Sequence, residues 1–169
     1  MRDVKDFLIN FIEKENKAFN DFPVCPFAKK ERIENRIKYV ECSFNFIETD
    51  KIIKESLNWL NHDYSTLLFV SKEECDMETT RYFFKCVKAL LTDHGVNVFL
   101  FHKSDKRSYM GIHTRRSPRP FIMVGYKDEI AKKKKKLLNT KYYDNLTIEE
   151  YYQLHPKRKK QNGKNTTNN

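Results

Sequence analysis

Apolar positions recur at helical spacing from the first residues: Val4, Phe7, Leu8, Phe11 and Ile12, then Ala18 and Phe19, predict an amphipathic helix over 3–18. The segment Asp21-Phe22-Pro23-Val24-Cys25-Pro26 stops it, since proline disfavours helix at the residue before it. Ile37 to Phe44 alternates imperfectly and is rich in β-formers, which predicts a strand. Asp50 is a candidate cap for a helix whose inner face is Ile53, Leu57 and Leu60 and which ends near Asn61-His62. Thr66-Leu67-Leu68-Phe69-Val70 is a continuous apolar run, the pattern of a strand covered on both faces. A longer helix runs from an Asp76 cap through Phe83, Val87, Leu90 and Leu91 to a stop at Gly95. Val96 to Phe101 and Phe121 to Tyr126 are the third and fourth strands, and 127–138 is a lysine-rich helix. Thr147 and Glu150 form a capping box for a last short helix ending before Pro156.

Strands alternating with helices predict an α/β fold: one domain over 1–155, with a mostly parallel sheet of about four strands flanked by helices. The expected order is α-β-α-β-α-β-loop-β-α-α. Residues 156–169 have no apolar periodicity and are expected to form a disordered basic tail. The chain shows no internal repeat.

Charge changes this picture in one respect. Residues 1–102 hold 15 basic and 17 acidic side chains, whereas 103–169 hold 18 and 6. A basic C-terminal third suits an anionic partner. Its abundant lysine, with Asn and Ile, also follows from the composition bias of an AT-rich genome such as a phage's. No apolar run approaches the roughly 18 residues of a membrane helix, and no secretory leader is visible at the N-terminus. The expectation is a cytoplasmic protein, in the host cytoplasm if viral, that makes no membrane contact. Cys25, Cys42, Cys75 and Cys86 form no CxxC pair and are expected to be reduced thiols.

The densest chemistry lies in the loop between the last two strands. Lys103 to Pro120 carries six Lys or Arg against one acid, Asp105, and ends in Thr114-Arg115-Arg116-Ser117-Pro118-Arg119-Pro120. A connection of this length in a compact domain is usually functional or disordered. Arg116 is the first candidate for anion binding, because guanidinium presents a planar fork to carboxylate or phosphate. Ser117 adds a hydroxyl and an N–H, Thr114 and Arg115 stand beside it, and the prolines pre-aim the loop. The alternative is a structural arginine tied to carbonyls or to Asp105. His102 ends the third strand, on the same face as Val96, Val98 and Leu100. It sits where open α/β sheets place their ligands and is the candidate acid–base group. Cys25, between two prolines' reach in Val24-Cys25-Pro26, is a candidate nucleophile if a neighbour activates it, and otherwise a small buried side chain. Cys25, His102 and His113 are metal-type ligands without a close-spaced pair, so no metal is assigned. No cofactor is assigned either.

Three clusters, Cys25-Pro26-Phe27-Ala28, Thr66-Leu67-Leu68, and Phe101-His102 with Thr114 and Arg116-Ser117-Pro118 ahead of Pro120, resemble the bacterial domain-of-unknown-function family 1415. The resemblance spans roughly residues 5–130. It departs at Lys103, where the family tends to have proline, and at Arg115, where it has asparagine. That family has no established activity, so the resemblance implies a shared pocket without naming a reaction.

Together these features point to a small α/β enzyme or enzyme-like domain that binds an anionic, phosphate- or carboxylate-bearing small molecule through an Arg/His/Cys pocket. Two alternatives remain open. One is a nucleic-acid-binding accessory protein using the basic third, with Lys157, Arg158, Lys159 and Lys160 supplying salt-sensitive affinity. The other is a regulatory module that binds another protein.

Overall fold

The computed structural model of the chain describes residues 1–45 and 48–154. The expected tail, with Lys157, Arg158, Lys159 and Lys160, lies outside the described residues.

Four strands form one sheet: β1 (Ile37–Cys42), β2 (Thr66–Ser71), β3 (Val96–Phe101) and β4 (Phe121–Tyr126), in the spatial order β1-β2-β4-β3. β1 and β2 pair in parallel, with Ile37 opposite Thr66. β4 runs antiparallel to both of its neighbours, with Thr66 opposite Gly125 and Phe101 opposite Phe121. The α/β class holds, but the sheet is mixed where a mostly parallel one was expected. The connections explain the difference. A parallel neighbour needs a crossover over a sheet face, usually a helix. Helices α3 (Thr49–Leu60) and α4 (Met77–Leu90) provide this after β1 and β2. The basic loop between β3 and β4 contains no helix among the described residues, so the chain turns back at the end where β3 stops.

Alternation along the strands sorts the side chains onto two faces. On the first face, Val40, Leu67, Phe69, Leu100, Ile122 and Val124 pack against Trp59 of α3 and against Phe83 and Val87 of α4. On the second, Leu68, Val70, Phe101 and Phe121 meet Val4, Leu8, Ile12, Phe19, Leu137 and Tyr142. These come from the N-terminal segment, from helix α5 (Lys127–Leu137) and from the turn after it. Phe101 and Phe121 stack with ring centres 4.2 Å apart across the β3–β4 pair.

Three local expectations change. The first helix is shorter than 3–18: α1 (Arg2–Phe7) continues as one wide turn, Leu8–Ile12, and stops. Beyond it the Asn16 side chain accepts a 2.9 Å hydrogen bond from the Ala18 N–H, a local bond that competes with helix. A short helix, α2 (Ala28–Ile33), forms where the hydrophobic pattern predicted no element. In α3 the inner face is Ile52, Ser56 and Trp59, while Leu57 is 49% exposed, so the helix is rotated from the Ile53-Leu57-Leu60 stripe. Its cap position is Glu48, not Asp50. Trp59 decides the rotation: fully buried, it stacks on Tyr126 with ring centres 4.6 Å apart.

Other local signals hold. Asp76 caps α4 through a 2.6 Å bond from the Thr79 N–H. Gly95 takes the left-handed conformation, φ +62°, that ends the turn after α4. Helix α6 (Ile148–Leu154) carries the capping box: the Thr147 N–H donates to Glu150 at 3.0 Å and the Glu150 N–H donates to Thr147 Oγ1 at 3.2 Å.

Candidate functional site

The second face of the sheet does not close completely. Between it and the surrounding segments lies a cavity of about 330 Å³. Leu68, Phe99, Phe121 and Met123 of the sheet form its floor, and Leu8, Ile12 and Val24 form part of its wall. It runs the length of the sheet, from Phe121 to Thr66 and Gly125, which the register places at opposite ends. The site therefore lies across a face of the sheet, not only beyond the carboxyl ends of the strands.

Its polar groups are few. Arg115 comes from the basic loop and lies over the Phe99 ring, with 5.1 Å from guanidinium carbon to ring centre. Among the described residues no carboxylate pairs with it; nearby Asp105 is already bound by Arg107, whose Nε donates to both carboxylate oxygens at 3.0 Å. Burial, and then the charge of Arg107, hold Arg115 below the usual arginine value, yet a guanidinium stays charged at neutral pH. Lys134 of α5 also lines the cavity, and burial followed by the charge of Arg115 lowers its affinity for a proton.

A second polar group is self-contained. Glu31 of α2, 6% exposed, accepts hydrogen bonds from Ser65 Oγ and Lys133 Nζ, each at 2.5 Å, with Arg36 Nε 3.4 Å away. Burial pushes this carboxyl up, but the bonds from Lys133 and Ser65 outweigh it and hold it below its ordinary value. A depressed carboxylate stabilises the fold above its unfolded pKa, and the contribution disappears as pH falls through the folded value. Glu31→Gln is therefore expected to cost roughly 2 kcal/mol at neutral pH. The melting temperatures of variant and wild type should converge below the ordinary glutamate range, and a gap independent of pH from 7 to 3 would contradict this assignment.

The structure separates the residues singled out in the sequence. Cys25 and Thr114 line the cavity with Arg115. Burial pushes the Cys25 thiol up, which keeps it in the unreactive protonated form at neutral pH. His102 is absent from the cavity wall. It is 2% exposed and continues the alternation of Val96 and Leu100, which places it on the first face while Cys25 packs on the second. Its Nδ1 accepts the Ser104 N–H at 3.0 Å, so Nε2 carries the proton and donates to the Cys75 carbonyl at 2.9 Å. The imidazole ties the loop to the segment before α4.

Arg116 is exposed and does not line the cavity. The structural role weighed for it falls to its neighbours. Arg107 binds Asp105 and donates to the Leu100 carbonyl at 3.2 Å. Arg119 pairs with Asp3 at 2.9 Å and Glu41 at 3.6 Å. Ser117, buried, donates to the Arg119 carbonyl at 2.7 Å. The basic loop is thus pinned at several points and presents Thr114 and Arg115 to the cavity. Among the described residues no group of three or more His, Cys, Asp or Glu side chains could hold a metal ion, and no helix is long and apolar enough to cross a membrane.

Against protein-family models, curated proteins and solved structures the chain gives no match. Its site is read from its own residues.

The sequence pattern missed Glu31, Lys133 and Lys134. The five lysines Lys132 to Lys136 read as the solvated side of a helix, yet two of them turn to the cavity wall. The usable signal was Ile130 and Leu137: together they mark the inward stripe of α5, and Lys133 and Lys134 fall between them on that stripe.

Proposed function

We propose that this domain binds an anionic small molecule in the cavity beneath the sheet, with Arg115 as the residue that holds the anion. The observation that carries this reading is a partly buried guanidinium without an acidic partner among the described residues, set into an apolar cavity of about 330 Å³. That size is within the range of small-molecule sites, which are mostly apolar with a few convergent polar groups. A desolvated charge without a counterion is costly, and a bound carboxylate or phosphate offsets that cost.

Part of the resemblance to family 1415 falls at the same place: Cys25, Pro26, Phe27 and Ala28, then Thr66 and Leu68, then Phe101 and Thr114 line this one cavity, whereas His102 and Arg116-Ser117-Pro118 do not, and Arg115 itself stands where the family has asparagine. His102 belongs to the scaffold in this reading, and Cys25 is a wall of the site rather than its nucleophile. The function is accordingly binding, with catalysis left to whatever the ligand itself brings.

The test is native mass spectrometry of freshly purified wild type beside Arg115→Ala. Wild type should carry the extra mass of a small organic acid, and the variant should be bare. Bare chains in both samples, with no change in wild-type melting on adding octanoate, hexyl phosphate or adenosine monophosphate, would contradict the proposal.

A further inference from the structure

We propose that His102 is the positioning residue of the anion site: from the opposite face of the sheet it fixes the turn that carries Arg115 to the cavity. This rests on the reading of Arg115 as the residue that holds the anion, and it adds what sets the place of that guanidinium.

Residue 102 is a hub at the end of β3, 2% exposed, with all four of its polar groups engaged. Its backbone N–H donates to the Arg115 carbonyl at 3.1 Å, which brings the far limb of the basic loop back to its start. Its carbonyl accepts the Asp105 N–H at 2.9 Å and Nδ1 accepts the Ser104 N–H at 3.0 Å, so the chain turns directly after the strand. The Nε2–H then ties that turn to the Cys75 carbonyl at 2.9 Å. Cys75 lies in a segment that is itself held. Ser71 Oγ donates to the Glu73 carbonyl at 2.7 Å, and Asp76 caps α4.

Phe99 links this hub to the site. Three residues before His102 on the same strand, it turns its ring to the cavity, and the Arg115 guanidinium lies over that ring. The strand presents the ring and the loop presents the cation, while the hydrogen bond between residues 102 and 115 sets one against the other. An apolar side chain would fill the space of the imidazole without holding Ser104 or Cys75. A neutral imidazole does both, because it has an acceptor on one side and a donor on the other. Leaving either bond unmade at a buried position is costly.

The arrangement needs the neutral ring. A proton on Nδ1 sets donor against donor at the Ser104 N–H. Imidazoles take that proton near about pH 6.5, so the turn is held above this range and loosened below it. The charged groups facing the ring come from two segments. Glu74 and Asp76, before α4, both feel its charge. On the loop stand Lys103, paired with Glu74 at 2.5 Å, and Asp105, bound by Arg107.

Calorimetric titration of the full chain with octanoate tests this in wild type, His102→Phe and His102→Asn, with Arg115→Ala as reference and melting checked throughout. At pH 7.5, His102→Phe keeps the ring volume and should bind at least about tenfold more weakly than wild type. Asparagine accepts an N–H two residues on, so His102→Asn should stay within about threefold. Between about pH 7.5 and about 5.8 the wild type should weaken at least about threefold, and His102→Asn should not. The groups in the cavity wall, Glu31, Glu129 and Lys134, are common to both proteins and cancel in that comparison. Wild-type affinity in His102→Phe, or parallel pH profiles in wild type and His102→Asn, overturns the proposal while leaving the anion site standing. If His102→Phe does not fold, the pH comparison decides alone. If wild type does not bind octanoate, or Arg115→Ala binds it equally well, the underlying site reading fails and this inference with it.

Discussion

Replacing Trp59 by alanine is expected to lower the melting temperature by roughly 10 °C. The indole is fully buried in the first-face core and stacks on Tyr126 at 4.6 Å, at the point where α3 crosses the sheet. Its removal takes away the largest buried side chain of that layer and leaves a hole that Ser56, on the same face of α3, is too small to fill. Such truncations cost about 3–5 kcal/mol. Trp59→Phe should cost much less. It keeps an aromatic face for Tyr126, and the indole N–H it deletes has no hydrogen-bond partner among the described residues. Differential scanning calorimetry distinguishes these outcomes. Equal losses for the two variants would show that the stacking and volume attributed to Trp59 are not what holds α3 in place.

The second large effect is on binding. Arg115→Ala is expected to weaken octanoate at least about 100-fold, because a charge-assisted bidentate contact is worth about 3 kcal/mol. The same variant should melt within about 1 °C of wild type. The Asp105 carboxylate feels the Arg115 charge but keeps its bonds from Arg107, and Arg115 also gives up its place over the Phe99 ring. Arg116→Ala should change neither affinity nor melting, since that side chain is exposed and outside the cavity. Titration calorimetry on the three proteins checks this. Loss of binding in Arg116→Ala with retention in Arg115→Ala would reverse the assignment.

That contrast shows what a single sequence reveals here. The strands were legible because short apolar runs bounded by polar residues sit at β1 to β4. Asp76, Gly95 and the Thr147–Glu150 box marked helix ends through local backbone chemistry. Phase was harder. In α3, three apolar residues formed a plausible stripe, and only the depth of Trp59 against Tyr126 decides which side faces in. The direction of β4 was readable in retrospect, because the loop before it contains no helix to cross the sheet.

The site was legible by place more than by residue. The loop from Lys103 to Pro120 does deliver a cation to a cavity, and Cys25 does reach the same wall. Choosing between Arg115 and Arg116 needed the path of the loop, which contains a turn at Tyr109–Ile112 with positive φ at Met110 and Gly111 and leaves Arg115 on the cavity wall and Arg116 exposed. The alternation that put His102 beside Val96 and Leu100 gave its face, but Cys25 sits on a loop outside the strands, so its place on the opposite face needed the fold. Glu31 gave no warning, since a carboxylate among AKKERI reads as solvent-facing until Ser65 and Lys133 are brought to it.

The most direct test of the cavity as a ligand site uses its own methionine. The chain has four methionines. Met123 lines the cavity floor, while Met77 packs against the opposite core. With methionine labelled at the methyl carbon, titration with octanoate should move the Met123 resonance in a saturable way and leave that of Met77 in place. An unmoved Met123 at saturating octanoate, or equal shifts at both, would contradict the account.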